Sequence, residues 1–360
     1  MYAVIMAGGS GTRFWPLSRR RRPKQLLAIG TDTPLIVETI RRLAPRVPLD
    51  RVRVVAGSHH AAGIRAQLPD LPPEALLIEP CARNTAPCLG LAAVHVAHDD
   101  PDAVMAVLPA DHHIGDTDAF HRVLAEAAEL ARRGEIVTLG IEPTRPETGY
   151  GYIEVAEVVQ AGVTGPLPVR RFVEKPNAET AAAYLAQGRF LWNSGMFFLT
   201  ARRALADIER FLPRLHLALA RIAAAIGTPE YASVLAEAFA TAEAISIDYG
   251  IMEHATGHPD LPPVKVVPAD IAWNDVGHWA AIADYAEADA EGNVVEGDAI
   301  LVDTRGTIVH ATGRTIAVIG VDDLVVVETE DAVLVCPRDR AQDVREVVAR
   351  LAEAGRHDLL

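Results

Sequence analysis

Apolar residues in this chain fall into short continuous blocks separated by turn residues and by longer stretches of helical spacing. Residues 3–6, 52–56, 75–79, 103–108 and 136–140 are runs of Ala, Val, Ile, Leu and Met with almost no polar interruption. A strand needs that pattern when helices cover both faces of its sheet. Residues 34–43, an Ala-rich stretch ending near 98, and residues 117–133 carry the 3.6-residue spacing of helices between them. The alternation predicts an α/β fold. Residues 203–226 and 230–242 predict further helices, rich in Ala and Leu. After about 286 the texture changes to short β-rich runs cut by Gly and Asp, closed by a helix at 339–354 with Val344, Val347, Val348 and Leu351 on one face. The pattern divides the chain into residues 1–285, an α/β unit, and residues 286–360, a β-rich unit with a closing helix.

Composition narrows the picture. Half of the 360 residues are hydrophobic but only 5% are aromatic, so the core is expected to be aliphatic. No apolar run approaches the roughly 18 residues of a membrane span, and Met1 leads into a strand without a basic-then-apolar leader. The three cysteines, Cys81, Cys88 and Cys336, lack C-x-x-C spacing and read as reduced thiols of a cytoplasmic protein. A net charge of −14 argues against nucleic acid or a membrane as partner.

Against that acidic background the first 31 residues hold Arg13, Arg19, Arg20, Arg21, Arg22 and Lys24, and no Asp or Glu. They follow Gly8, Gly9 and Gly11, placed directly after the first strand. Glycines there let the backbone turn and its free N–H groups form a nest for phosphate oxygens. The P-loop pattern is absent, and the dinucleotide pattern G-x-G-x-x-G fails at Phe14. Of the 34 basic residues only Lys24, Lys175 and Lys265 are lysines, which suggests sites where a compact ammonium is needed.

Other strand ends carry candidate chemistry. Glu79 precedes Pro80, Arg83, Asn84 and Thr85 at the start of a helix, whose N-terminus favours an anion. Glu79 or a loop carbonyl could accept hydrogen bonds from a ligand there, and Asn84, Arg83 or a backbone N–H could donate to it. Asp111 lies past the end of the 103–108 strand, where α/β sheets bind ligands. Gly149 and Gly151 allow close approach, and Tyr150 offers a hydroxyl to a ligand. Glu174 and Lys175 are adjacent at a strand end, so only a bend at Pro176 could turn both to one ligand. His59 and His60 read as a helix start.

Taken whole, Met6 to Ser18 with Pro23-Lys-Gln-Leu26 closely resembles the opening motif of the sugar-1-phosphate nucleotidyltransferases. Its Phe14-Trp-Pro-Leu-Ser18 detail looks like their mannose-1-phosphate guanylyltransferase branch. Glu79-Pro-Cys-Ala-Arg-Asn-Thr-Ala-Pro87 is similar to the branch's base-recognition segment. Leu108-Pro-Ala-Asp-His112 and Trp273-Asn-Asp-Val-Gly277 resemble the motifs whose carboxylates, here Asp111 and Asp275, bind magnesium. The segments around Gly149, Glu174 and Asn193, together with Ser246-Ile-Asp-Tyr249, look like the sugar-phosphate site. Two departures are His254, where the family usually has Lys, and His278, where Ser is commoner.

The resemblance implies a Rossmann-like domain with a mostly parallel mixed sheet, followed by a β-helix-like module. It implies GMP transfer from GTP to α-D-mannose 1-phosphate by direct in-line attack, giving GDP-mannose and pyrophosphate. Ala7, Gly8, Gly9, Gly11, Thr12 and Arg13 would hold the leaving pyrophosphate, and Lys24 would neutralise charge near the α-phosphate. Lys175 would grip the sugar phosphate, Glu174 and Asn193 the hydroxyls, with Gly149, Tyr150, Gly195 and Asp248 around them. Mg2+ on Asp111 and Asp275 would join the substrates. The apolar tail suggests a homodimer. A sister enzyme with another sugar or base, or a silent regulatory paralogue, would share most of these features.

Overall fold

The computed structural model describes residues 1–9, 11–44, 46–159 and 162–360; Ser10 of the glycine loop lies outside them. The strands of the first unit are β1 (Tyr2–Met6), β2 (Val52–Gly57), β3 (Leu76–Glu79), β4 (Val104–Pro109), β5 (His113–Ile114), β6 (Ile136–Ile141), β7 (Tyr152–Val155), β8 (Leu167–Val173), β9 (Phe190–Thr200), β10 (Val264–Pro268) and β11 (Trp273–Asn274). Nine of them form one sheet in the order β3-β2-β1-β4-β9-β6-β10-β8-β7, and β7 also bonds β9. β1 pairs in parallel with β2 and β4, β2 with β3, and β6 with β10. β9 runs antiparallel between β4 and β6, and β8 antiparallel to β7 and β10. Only β8 and β9 therefore oppose the direction that the other seven strands share, so the sheet is mixed, as expected.

The reversed β9 matters for the site. Gly140, near the carboxyl end of β6, pairs with Asn193, near the start of β9. An antiparallel strand thus delivers its early residues to the edge where β1, β3 and β4 end. Alternation along the strands feeds a core on each face. Val4, Met105 and Val107 face the helices Thr85–Asp99, Ala201–Phe211 and Pro213–Ala225. Ala3, Ile5, Ala106 and Leu108 face the helices Leu35–Arg41 and Thr117–Arg132. The helix expected over 203–226 is two helices, broken at Leu212. Pro213 has no N–H to donate and pushes the preceding residue out of the helical region. At the other end Arg338–Asp343 is 3-10 helix and the α-helix begins at Val344. Among the described residues no helix is long and apolar enough to cross a membrane.

The β-rich unit holds β12 (Val294–Glu296), β13 (Ala299–Val302), β14 (Ile308–Ala311), β15 (Ile316–Ile319), β16 (Leu324–Glu328) and β17 (Val333–Pro337). β12, β14 and β16 stack in parallel, β13 stacks on β15, and β17 closes the coil antiparallel to β16. Successive parallel coils are the β-helix-like arrangement. The boundary read at 285/286 marks the change of texture, but packing crosses it. Phe14, Trp15, Leu27 and Ile29 share one buried core with Trp279, Ile282, Ile308, Val325, Val327 and Val344.

Candidate active site

The glycine loop follows β1, and each glycine has its own reason. Gly11 has φ of 61°, and a Cβ there would sit 2.3 Å from Lys24 Cβ, so it lets the loop close onto the Pro23–Gln25 turn. Gly9 has nothing within 4 Å of a built Cβ and borders the open cleft. Gln25 Nε2 donates to Ala7 O, fastening the turn to the loop from below.

Lys24 is only 5% exposed. Its Nζ donates to the carbonyls of Asp275 and Val276, each at 2.8 Å, and pairs with Asp111 Oδ2 at 2.8 Å. One ammonium thus ties the turn after β1, the end of β4 and the turn after β11. Asp111 and Asp275, 164 positions apart in sequence, are brought to one place. Burial opposes ionisation of Asp111, but Lys24 and the neighbouring dipoles outweigh it and hold its pKa below the usual range. Trp273 Nε1 donates to His112 Nδ1 at 3.1 Å, which leaves the ring hydrogen on Nε2, 3.9 Å from Asp111 Oδ1. Burial lowers the His112 pKa to about 4, so the ring is neutral near pH 7.

A cavity of about 500 Å³ opens beside these carboxylates. At one end stands Glu79, 6% exposed, with Oε1 making no hydrogen bond to the described residues. Burial raises its pKa to about 7. Asn84 caps the helix Thr85–Asp99 with φ of 67°, its Oδ1 accepting from Thr85 N. Thr85 Oγ1 accepts from Ile247 N, binding this helix start to the Asp248 segment. Arg83 lines the cavity but donates from Nε to Phe239 O and from the guanidinium to Ala240 O. Its role as a base reader is thereby weakened, because it braces the end of the helix Tyr231–Thr241.

At the other end the chain turns at Lys175 itself, with φ of 42°, and not at Pro176 as the sequence suggested. That turn sets the Glu174 carboxylate and the Lys175 ammonium in contact on the cavity wall. Asn193 Nδ2 donates to Asp248 Oδ1 at 2.8 Å, and Asn193 Oδ1 accepts from Gly195 N. Burial, reinforced by Glu174, raises the Asp248 pKa to about 6. A Cβ at Gly151 would lie 2.8 Å from Glu174 Oε2, so the close approach expected there is real. Tyr150 lines the cavity, but its hydroxyl donates to Asp275 Oδ1 at 2.8 Å, not outward to a sugar.

The wall therefore includes Gly8, Gly9, Glu79, Arg83, Asn84, Thr85, Asp111, Gly149, Tyr150, Glu174, Lys175, Asn193, Gly195, Asp248 and Asp275. Ala7, Gly11, Thr12, Arg13, Lys24 and Pro80 lie off it. Ala7 is buried beneath the loop, Thr12 and Pro80 are exposed, and Arg13 is half-buried close to His278. His112 and Trp273, which stand inside the two carboxylate motifs, support the carboxylates. The available signal was position: His112 follows Asp111, and Trp273 shares the side of the extended chain with Asp275.

Among the described residues no group of three or more His, Cys, Asp or Glu could hold a metal by itself. Asp111 and Asp275 nevertheless suit a hard cation completed by substrate oxygens. Asp275 Oδ2 accepts no hydrogen bond from the described residues, and a Cβ at Gly277 would crowd it at 2.7 Å.

The chain matches the family model described as Nucleotidyl transferase over residues 2–292, and the MannoseP isomerase/GMP-like beta-helix domain over 297–351. It is 42% identical over 359 residues to Xanthan biosynthesis protein XanB of Xanthomonas campestris pv. campestris, spanning 99% of this chain and 74% of that one. It is 41% identical over 365 residues to Mannose-1-phosphate guanylyltransferase of Escherichia coli strain K12, spanning 99% and 75%. A crystal structure named mannose-1-phosphate geranyltransferase, from Thermus thermophilus, superposes with a TM-score of 0.86 at 38% identity. It covers 98% of this chain and 99% of its own.

Proposed function

The chain belongs to the nucleotidyl transferase family, and from that premise we propose that it transfers GMP from GTP to α-D-mannose 1-phosphate, releasing pyrophosphate and forming GDP-mannose. One observation carries the reading: a single cleft is lined by Glu79, buried and with Oε1 unpartnered among the described residues, by the cluster of Glu174, Lys175 and Asn193, and by Asp111 and Asp275.

An oxygen of the sugar phosphate attacks the α-phosphorus of GTP, and the bond to the bridging oxygen of the β-phosphate breaks. No proton need be removed from the nucleophile. The protein's task is positioning and charge neutralisation. Glu79 Oε1, ionised on binding, accepts from guanine N1–H and N2–H. The Asn84 amide stands beside it as a donor. Backbone N–H groups of Gly8 and Gly9 face the phosphates, with Arg13 closing over the leaving pyrophosphate. Lys24 acts from beneath, holding Asp111 and the 275–276 turn in place while its charge offsets the phosphates. Lys175, 62% exposed, can leave Glu174 for the sugar phosphate. Glu174, Asn193 and Asp248 then accept from the sugar hydroxyls. Asp111 and Asp275 would hold Mg2+, which supplies charge neutralisation between the two substrates when bound. Exposed Ile300, Ile319, Val333 and Val335 on the β-rich unit support a homodimer through that surface, which sedimentation would test.

The deciding assay measures pyrophosphate release with GTP, ATP, UTP or dTTP against mannose and glucose 1-phosphates. GTP with mannose 1-phosphate should give the highest kcat/KM. A preference for another base, or no turnover with any pair, would overturn the reading.

A further inference from the structure

The C-terminal segment reaches back across the molecule to the signature stretch. Leu359 O accepts from Trp15 Nε1 at 2.9 Å and from Arg19 Nη1 at 2.8 Å. The other arm of Arg19 pairs with Asp331, in the turn between β16 and β17, at 2.7 Å. Arg19 is thus held by two separate parts of the β-rich unit, with its side chain only 17% exposed. Its backbone exchanges hydrogen bonds with Arg22, making a tight turn that feeds straight into Pro23 and Lys24. Trp15 is held from its other side as well, its carbonyl accepting from Trp279 Nε1 at 3.0 Å. Phe14, next in line, is fully buried against Trp279, with Lys24 Nζ 5.9 Å from its ring centre.

We propose that Leu359 O and Asp331 form a latch on Trp15 and Arg19 that fixes the Arg13–Lys24 stretch for the nucleotide, so that Trp15 and Arg19 are positioning residues for GMP transfer. The β-rich unit then acts on catalysis at a distance, through the residues it holds. Mere packing does not require the specific pairing: the apolar core beside it is continuous without any contribution from the Arg19 guanidinium. A buried indole N–H and a two-armed guanidinium fix orientation, which apolar contact leaves loose. The stretch they fix ends at Lys24, whose bonds to Asp275 O and Val276 O carry that orientation to the carboxylates. The sugar-phosphate cluster at Glu174, Asn193 and Asp248 lies on other segments of the chain and makes no part of this chain of contacts.

The inference rests on the guanylyltransferase reading, and wild-type turnover with GTP and mannose 1-phosphate tests that reading separately. Given turnover, Arg19→Gln and Trp15→Phe are compared with wild type, and Arg19→Lys serves as a partial rescue. Each of the first two should lower kcat/KM for GTP by about 5- to 10-fold, the scale of one or two hydrogen bonds lost from a positioned loop. GTP affinity by calorimetry should fall with it, while KM for mannose 1-phosphate stays within about 2-fold, a limit set by the sugar cluster's independence. Arg19→Lys, able to keep one of the two bonds, should fall between. Unchanged GTP parameters in Arg19→Gln, which leaves the apolar core intact, would overturn the latch. So would equal rises in both KM values in step with a lowered Tm.

Discussion

Lys24 and Lys175 bring the same ammonium to the site in opposite ways, one from beneath the cleft wall and one on it. Lys24 is buried, and three oxygens from two segments fix it. Lys175 stands 62% exposed on a left-handed turn, with one carboxylate partner beside it in the chain. The first is part of the frame; the second is free to move onto a ligand. The side of the site proposed for the nucleotide is therefore preorganised at Lys24 by long-range ties, whereas Lys175, on the side proposed for the sugar phosphate, is paired with its neighbour in the chain.

The sharpest break of that contrast is alanine at each lysine. Lys24→Ala takes the ion-pair partner from a partly exposed Asp111 and the buried donor from the carbonyls of Asp275 and Val276, a change that should cost about 1–3 kcal/mol of stability and remove turnover almost entirely. Lys175→Ala should leave Tm unchanged and cost roughly 10²-fold in kcat/KM for mannose 1-phosphate, comparable to one lost transition-state donor. Thermal melts with steady-state kinetics read both. An unaltered Tm in Lys24→Ala would erase the distinction.

The carboxylates sharpen it next. Asp275→Asn and Asp111→Asn should each abolish most activity, but only Asp111→Asn should also lower Tm, since Lys24 loses its ion pair there. Smaller is Tyr150→Phe, which frees Asp275 Oδ1 and should lower kcat by about 10-fold with little effect on KM for either substrate.

The sheet was legible because its central strands are apolar on both faces, and the cleft because its charged residues stand at strand ends. What the sequence hid is contact over distance. Pro23-Lys24-Gln25 looks like an exposed turn, and nothing in it announces three oxygens from elsewhere. Arg83 looks like a free cation until the helix end at Phe239 is folded against it. The bend at Lys175 needs a positive φ that non-glycine residues rarely adopt. Trp15 and Leu359, 344 positions apart, share no pattern that a window along the chain could register.

Glu79 offers the most direct test of the account, because the proposed base selection depends on a carboxyl whose pKa burial raises to about 7. The native state holds a proton that the unfolded chain has lost, so this group's contribution to stability falls as pH rises between 4.5 and about 7. Guanine requires the ionised form, so GTP affinity should move the other way. The measurement is GTP binding by calorimetry from pH 6 to 8.5, wild type beside Glu79→Gln. Wild-type affinity should rise through about pH 7. The variant should bind more weakly and retain only the shallower dependence of GTP itself. Identical affinities and slopes in the two proteins would contradict the assignment of the base to Glu79, and with it the orientation of both substrates in the cleft.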